Sequence, residues 1–420
     1  MSGKKNITLL IIVASLGYFV DIYDLILFNI IKKESLNSLG IDFSTYETVL
    51  FRWQMAGMLL GGIVWGVWGD KKGRVSVLFG SILLYSLANI ANAFVQTVEA
   101  YKFWRFTAGI GLAGELGAAI TLVSELLPIR RRGIGTMIIV TFGALGAVAA
   151  FLVASQGDWL GSVLGSLTGL ELANWQVAYI VGGMLGFLLL ALRAGTFESN
   201  MFQKSKSDSV QRGNFFWLFK DVPTFTKYIA CIFIGLPVWY VVGILIALSH
   251  RFFPEITGLA EPPVNTRELI MWSYVGLSAG DLLSGLLSQV LQSRKKVIYL
   301  NLLGISVMTL LFLFGPSGSA AYYKTLAFVL GSATGYWAIF VTNASEQFGT
   351  NIRSTVSATV PNFVRGGVLV ITSSFEWLEL HFSSSVWAAV WVGLGCLALA
   401  GWGTWYVEEP FHKDLDYYEE

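Results

Sequence analysis

The chain has 420 residues, 55% of them hydrophobic and 13% charged, about half the charged share of an ordinary soluble domain. Its 28 Lys and Arg against 27 Asp and Glu leave a net charge of +1, which excludes a basic nucleic-acid binder and a dominant acidic tail. Cys231 and Cys396 both lie inside apolar runs and form neither a disulfide framework nor a metal-ligand spacing. With a mean hydropathy of +0.63, the composition is that of a polytopic membrane protein.

A helix needs about 20 apolar residues to cross the hydrocarbon core. Twelve such runs follow one another at 8–30, 47–68, 76–97, 103–126, 134–155, 176–193, 228–249, 268–291, 297–315, 323–345, 355–376 and 385–406. They are too long and continuous for barrel strands, and backbone groups in lipid must bond within their own segment. An all-α membrane fold of 12 transmembrane helices is therefore expected. The first run follows Lys4 and Lys5 like a secretory signal. It continues past Asp21 and Asp24 to Ile31 with no small-residue cleavage site, so it reads as a membrane helix.

Lys and Arg set orientation. With the N-terminus in the cytoplasm, the inner face collects 19 of the 28 cations, among them Lys71, Lys72, Arg130 and Arg193, and the outer face six. Both termini are then cytoplasmic. The longest inner interruption separates six runs from six, giving bundles at 1–193 and 227–408, a linker at 194–226 and a tail at 409–420. Within the linker, Gly213–Phe225 mixes aromatics with Lys220 and Asp221, which suits either an interfacial helix or a plain connector. The halves repeat. Glu125 stands seven residues before Arg132, Glu346 stands seven before Arg353, and the two pairs are 221 residues apart. Gly66 and Gly285 open matched loops 219 residues apart. Parallel six-helix repeats place a substrate site between the halves, at mid-membrane.

Seven ionisable residues fall inside the runs: Asp21, Asp24, Arg52, Arg105, Glu115, Asp281 and Arg365. Such groups are costly in lipid and face a cavity or a partner. Three cations against four carboxylates leave one acid in surplus, and a desolvated surplus acid takes a proton readily. Asp21 and Asp24, three apart on one helix face, are the leading proton-coupling candidates, followed by Glu115 and Asp281. By depth, Arg105 is expected to pair with Asp24 and Arg365 with Asp281, while Arg52 can snorkel outward. Arginine in a cavity grips carboxylates bidentately, so Arg105, Arg365 and Arg52 are substrate-binding candidates, with the deep aromatics Tyr23, Trp239, Tyr240, Tyr336 and Trp337. The substrate expected is a small organic anion or zwitterion; if every Arg is neutralised internally, it is neutral. Trp159, Trp175, Trp402 and Trp405 read as interface belts. Gly57/Gly61, Gly62/Gly66 and Gly182/Gly186 permit close helix contact.

GVWGDKKGR (Gly66–Arg74) resembles the loop signature of the major facilitator superfamily, with Gly66, Asp70, Lys71, Gly73 and Arg74 at its key positions. RFTAGIG (Arg105–Gly111), SELLPIRRRG (Ser124–Gly133) and ESNMF (Glu198–Phe202) are similar to further signatures of the family, the last without its prolines. The resemblance spans the chain and implies two pseudo-symmetric six-helix bundles with alternating access. It implies a conformational latch at Gly66, Asp70, Gly73, Arg74, Glu125, Arg132, Glu346 and Arg353. In the second half Gln289 stands where the aspartate would be, so that latch is expected to be weaker. DIYDLILF (Asp21–Phe28) resembles the first-helix signature of aromatic-acid and metabolite proton symporters, with Ile22 in place of the aromatic-acid group's glycine; this implies coupling at Asp24.

GIGLAG (Gly109–Gly114) lies within a membrane run rather than after a strand. GLSAG (Gly276–Gly280) lacks a hydrolase elbow's setting, and His250, His381 and His412 sit at run ends or in the tail. No enzyme, cofactor, metal site or nucleic-acid partner is expected. A proton-driven symporter for uptake, monomeric and in a bacterial inner membrane, leads. A proton-antiporting efflux pump and a solute sensor on the same fold are the alternatives. The fifth run, Ile134–Ser155, lacks the proline with which drug-efflux members end their motif, which favours uptake.

Overall fold

The structure is a computed structural model that describes residues 2–127, 129–169, 171–193, 213–259, 262–316, 318–413 and 416–419; at 2–10, 129–132, 158, 164, 167 and 168 it describes the backbone. Arg132 and most of the linker therefore lie outside the described side chains. The first bundle comprises α1 (Ser2–Ser38), α2 (Phe43–Lys72), α3 (Arg74–Asn92), α4a (Val98–Leu112) with α4b (Glu115–Leu126), α5 (Ile129–Ser155) and α6 (Asn174–Leu192). A short helix, Gly157–Thr168, precedes α6. The second bundle comprises α7a (Val222–Tyr240), a π-helical turn (Val241–Ile246), α7b (Ser249–Thr257), α8 (Thr266–Leu291) and α9 (Arg294–Phe314). It continues with α10a (Ala320–Ala333), α10b (Trp337–Glu346), α11a (Arg353–Gly366), α11b (Val368–Phe382) and α12 (Ser385–Tyr406).

Among the described residues, ten segments are long and apolar enough to cross a membrane. The helices α2 and α11 complete the twelve. They carry Glu47, Arg52 and Asp70 on one and Arg353, Arg365, Glu376 and Glu379 on the other, because they pack against each other between the bundles. The second contact across the seam runs between α5 and α8.

Helices that begin near the surface cap themselves. Asp42 accepts from the Thr45 N–H (2.9 Å), Asp221 from Thr224 (2.7 Å) and Ser293 from Lys296 (3.2 Å). Those bonds hold the Asp221 carboxyl below its ordinary range, as expected for an acid at a helix N-terminus. Three helices that begin inside the protein, α4b, α10b and α11a, have no side-chain cap of their own.

Breaks in α4 and α10 fall at corresponding places in the two halves, at Ala113–Gly114 and Thr334–Tyr336. The linker's described end is a 3-10 turn, Phe215–Phe219, with Lys220 over the Trp217 ring, rather than a full interfacial helix. Trp159 and Trp405 are exposed as belt residues should be, but Trp175 is buried and stacks edge-on to Tyr179. Gly57 and Gly109 hold α2 and α4a so close that a Cβ at either would overlap the partner's carbonyl, Phe106 O or Gln54 O. Replacing Gly109 with Val should therefore destabilise the bundle by about 1–3 kcal/mol, the usual cost of overpacking. The check is a lowered Tm in detergent, and an unchanged Tm would contradict the contact.

Candidate functional site

The α1 sequence sets Tyr18, Asp21 and Ile22 on one helical face, and α11a presents Asn362 and Arg365 in the same manner. These faces meet at the seam. A small hollow lies there, walled by Tyr18, Ile22, Trp239, Tyr274, Trp337 and Arg365. Arg365 is fully buried. Its guanidinium donates to Asn362 Oδ1 (3.3 Å) and Tyr18 Oη (3.4 Å) and lies 3.7 Å from Asp21 Oδ2. It also sits over the Trp337 ring at 5.7 Å. The Arg365–Asp21 pair thus bridges the two bundles. Among the described residues, neither oxygen of Asp21 nor of Asp24 makes a hydrogen bond of normal geometry, although Asn89 lies beside Asp24, and Trp337 Nε1 has no partner. A buried cation and ring faces around one hollow suit a small planar anion.

The other membrane charges are answered elsewhere, and not as their depth suggests. Arg193, expected on the inner face, is buried and pairs with Glu115. Asp281 accepts the Ala338 N–H (3.0 Å) at the start of α10b instead of meeting Arg365. Arg105 donates to Gln54 and to Tyr179 Oη (3.4 Å) and stacks over Phe28 at 4.7 Å, with no ion pair to Asp24. Arg52 does not snorkel; it crosses the seam to Glu376 at 2.7 Å and to Thr372. Of the substrate candidates, Arg365, Trp239 and Trp337 wall the cavity. Tyr23 donates to Ala178 O (2.9 Å), Tyr336 to Ile234 O (2.7 Å), and Tyr240 packs on Gly393, so these three are away from it. Tyr18 and Tyr274 were missed. Tyr18 precedes Asp21 by three and Tyr274 precedes Asp281 by seven, spacings that place each on the face of its acid.

At one mouth of the seam α11a begins without its own cap, and Asp70 of the other bundle supplies one. Asp70 accepts from the Ser354 N–H (3.1 Å), the Thr355 N–H (2.8 Å) and the Thr355 hydroxyl (2.6 Å). Arg74 ties Asp70 (3.5 Å) to Glu125 (2.9 Å), and Glu125 also meets Arg353 (3.7 Å). A Cβ at Gly66 would press on Thr355. In the second half Arg294 pairs with Glu346 (3.3 Å), and Gln289 and Arg294 lie against Gly133. The C-terminal tail straps this face: Thr350 N–H donates to Tyr417 O (2.8 Å), and Asn351 exchanges two bonds with the Glu419 backbone (both 2.9 Å).

The opposite mouth is closed by charge. Glu47 of α2 pairs with Lys32 (2.8 Å) and with Arg251 of the other bundle (3.5 Å), and Arg251 reaches Glu379 (3.2 Å). Burial holds the adjacent His250 below its ordinary value despite Glu47 at 3.8 Å.

A model of the Major Facilitator Superfamily matches residues 14–373. A Bacillus subtilis protein that carries the provisional name of a niacin/nicotinamide transporter is 25% identical over 353 residues, 82% of this chain and 84% of that one. The benzoate transport protein of Acinetobacter baylyi is 27% identical over 222 residues, 51% of this chain and 44% of that one. A solved structure of the proton:xylose symporter XylE superposes with a TM-score of 0.76 at 17% identity, covering 99% of this chain and 98% of that one.

Removing the charge of Asp70 should open the mouth it guards. An Asp70→Asn variant loses an anion at a helix N-terminus, worth about 0.3–2 kcal/mol, and its population open at this mouth should rise severalfold. The readout is labelling of a cysteine introduced at Thr359; an unchanged labelling rate would contradict the latch.

Proposed function

The chain belongs to the major facilitator superfamily, a family of multi-pass membrane transporters rather than enzymes, and from that premise we propose that it takes up a small aromatic monocarboxylate together with a proton. The reading starts from one observation: the buried Arg365–Asp21 pair, which spans the seam and whose Arg365 walls the hollow there. One guanidinium cannot satisfy two carboxylates equally at that spot. A substrate carboxylate that takes Arg365 leaves Asp21 without a counter-ion in a dry site, where the neutral acid is favoured. Asp24, three residues on and without a hydrogen bond of normal geometry among the described residues, shares that proton with it. Cargo and proton then enter as a neutral set, and neither loads well alone. Glu115 is left out of the coupling because Arg193 already neutralises it, and Asp281 because it holds α10b and with it Trp337.

Tyr18, Trp239, Tyr274 and Trp337 supply ring faces for a planar cargo. The niacin and benzoate named for relatives of this chain have that chemistry. Alternating access follows from two closed mouths that use different contacts: helix capping by Asp70 at one, ion pairs through Glu47 and Arg52 at the other. We assign the Asp70 mouth to the cytoplasm, following the Lys and Arg bias.

Two variants test this in proteoliposomes with an imposed pH gradient and benzoate as the probe. An Arg365→Gln variant loses a charge-assisted bond worth about 1.5–3 kcal/mol and should bind benzoate about 10–100-fold more weakly. Asp21→Asn and Asp24→Asn should still exchange benzoate but fail to accumulate it. Gradient-driven accumulation that persists in both Asp variants would defeat the coupling assignment, and unaltered benzoate binding in Arg365→Gln would defeat the site.

A further inference from the structure

The space outside the ion-pair mouth bears on how an anion arrives. Between α1 and the stretch joining α7b to α8 lies an open recess. Lys33, Arg267 and His250 line it beside Asn29, Asn265 and Thr266, and no carboxylate is among its described lining residues. Lys33 and Arg267 have no ion-pair partner among the described residues, whereas Lys32 is taken by Glu47, and Glu268, next to Arg267, is taken by Lys324. The recess shares Asn29, Lys32 and Ala247 with a smaller hollow that also touches Arg52 and Gly243. Val242, the neighbour of Gly243, walls the Arg365 cavity. Three spaces therefore stand in file, each with cations: Lys33 and Arg267 outermost, Lys32 and Arg52 in the middle, Arg365 at the centre. In the middle space the cations are spent on Glu47 and Glu376. In the outer recess two cations have no such partner among the described residues.

We propose that this recess is a second, outer anion site, formed by Lys33 and Arg267, which captures a small carboxylate before the ion-pair mouth opens. The proposal rests on the reading of the cargo as an anion. Same-sign charges in a concave, partly desolvated mouth focus the field and raise the local concentration of counter-charged solute. The effect is strongest at low salt, since the Debye length falls from about 30 Å at 0.01 M to about 3 Å at 1 M. A carboxylate held there lies next to Lys32, so it can compete with Glu47 for that ammonium and loosen the closure beneath it. A neutral amide gains nothing from either cation.

The test uses the full-length protein with 4-bromobenzoate and its neutral isostere 4-bromobenzamide. Anomalous diffraction from crystals soaked in 4-bromobenzoate should show bromine at two places, beside Arg365 and between Lys33 and Arg267; a K33Q/R267Q double variant should keep only the first. In transport, K33Q/R267Q should raise the KM for 4-bromobenzoate about tenfold at 10 mM salt, with the increase fading at 0.5 M, an unchanged kcat and no effect on the amide. Bromine at Arg365 alone, or a KM unaltered at low salt, would overturn the outer site and leave the central reading standing. Bromine in the recess alone would support the outer site and overturn the central one.

Discussion

A charge carried on a membrane-spanning helix must be answered from within the protein, because hydrocarbon offers it nothing. That constraint organises this molecule. Glu115 is answered by Arg193, Asp281 by the first amides of α10b, Asp70 by the first amides of α11a, and Arg52 by Glu376. At one place the answer is incomplete. Arg365 stands 3.7 Å from Asp21, and Asp24 next along the face makes no hydrogen bond of normal geometry among the described residues. Arg365 also walls the hollow between the bundles. The proposed exchange of Asp21 for a substrate carboxylate at Arg365 starts from this pair.

Helix ends do the second part of the work. Asp42, Thr97 and Asn265 cap the helices they precede, while α10b and α11a take theirs from Asp281 and Asp70. Asp70 binds two amides and a hydroxyl of the other bundle, contacts that parting the two bundles must break. Asp281 uses the same device within its own bundle and so fixes Trp337 in the cavity wall. The repeat carries the pattern only in part. Arg74–Glu125 and Arg294–Glu346 correspond, but Gln289 cannot replace the Asp70 charge, and the closed mouth is lopsided.

The fold was legible because continuous apolar runs of about 20 residues leave few alternatives in lipid. The breaks in α4 and α10 escaped notice since hydropathy is blind to a residue or two of irregular backbone. The Gly66–Arg74 motif singled out Asp70 but not its partner: Asp70 meets amides of Ser354 and Thr355, and an amide leaves no mark in a sequence. Depth along a helix located the seven membrane charges yet failed to pair them. Pairing depends on rotation about the helix axis as well as on height: the uncharged Gln54 took Arg105, and Arg193, at a run end, took Glu115. Arg365, Trp239 and Trp337 were found as deep polar or aromatic residues. Tyr23, Tyr240 and Tyr336 satisfied the same criterion but face the cores of their own bundles, where their hydroxyls or rings pack against backbone.

The direct test of the central exchange is the number of protons taken up when cargo binds. Calorimetry of benzoate binding to the full-length protein at pH 7, repeated in buffers of differing ionisation enthalpy, reports that number. Displacement of Asp21 from Arg365 predicts uptake of about one proton per benzoate, as a buried carboxylate without its counter-ion favours the neutral form, and none when benzamide replaces it or when Asp21 is Asn. Benzoate that binds at Arg365 with no proton uptake would contradict the exchange on which the transport cycle rests.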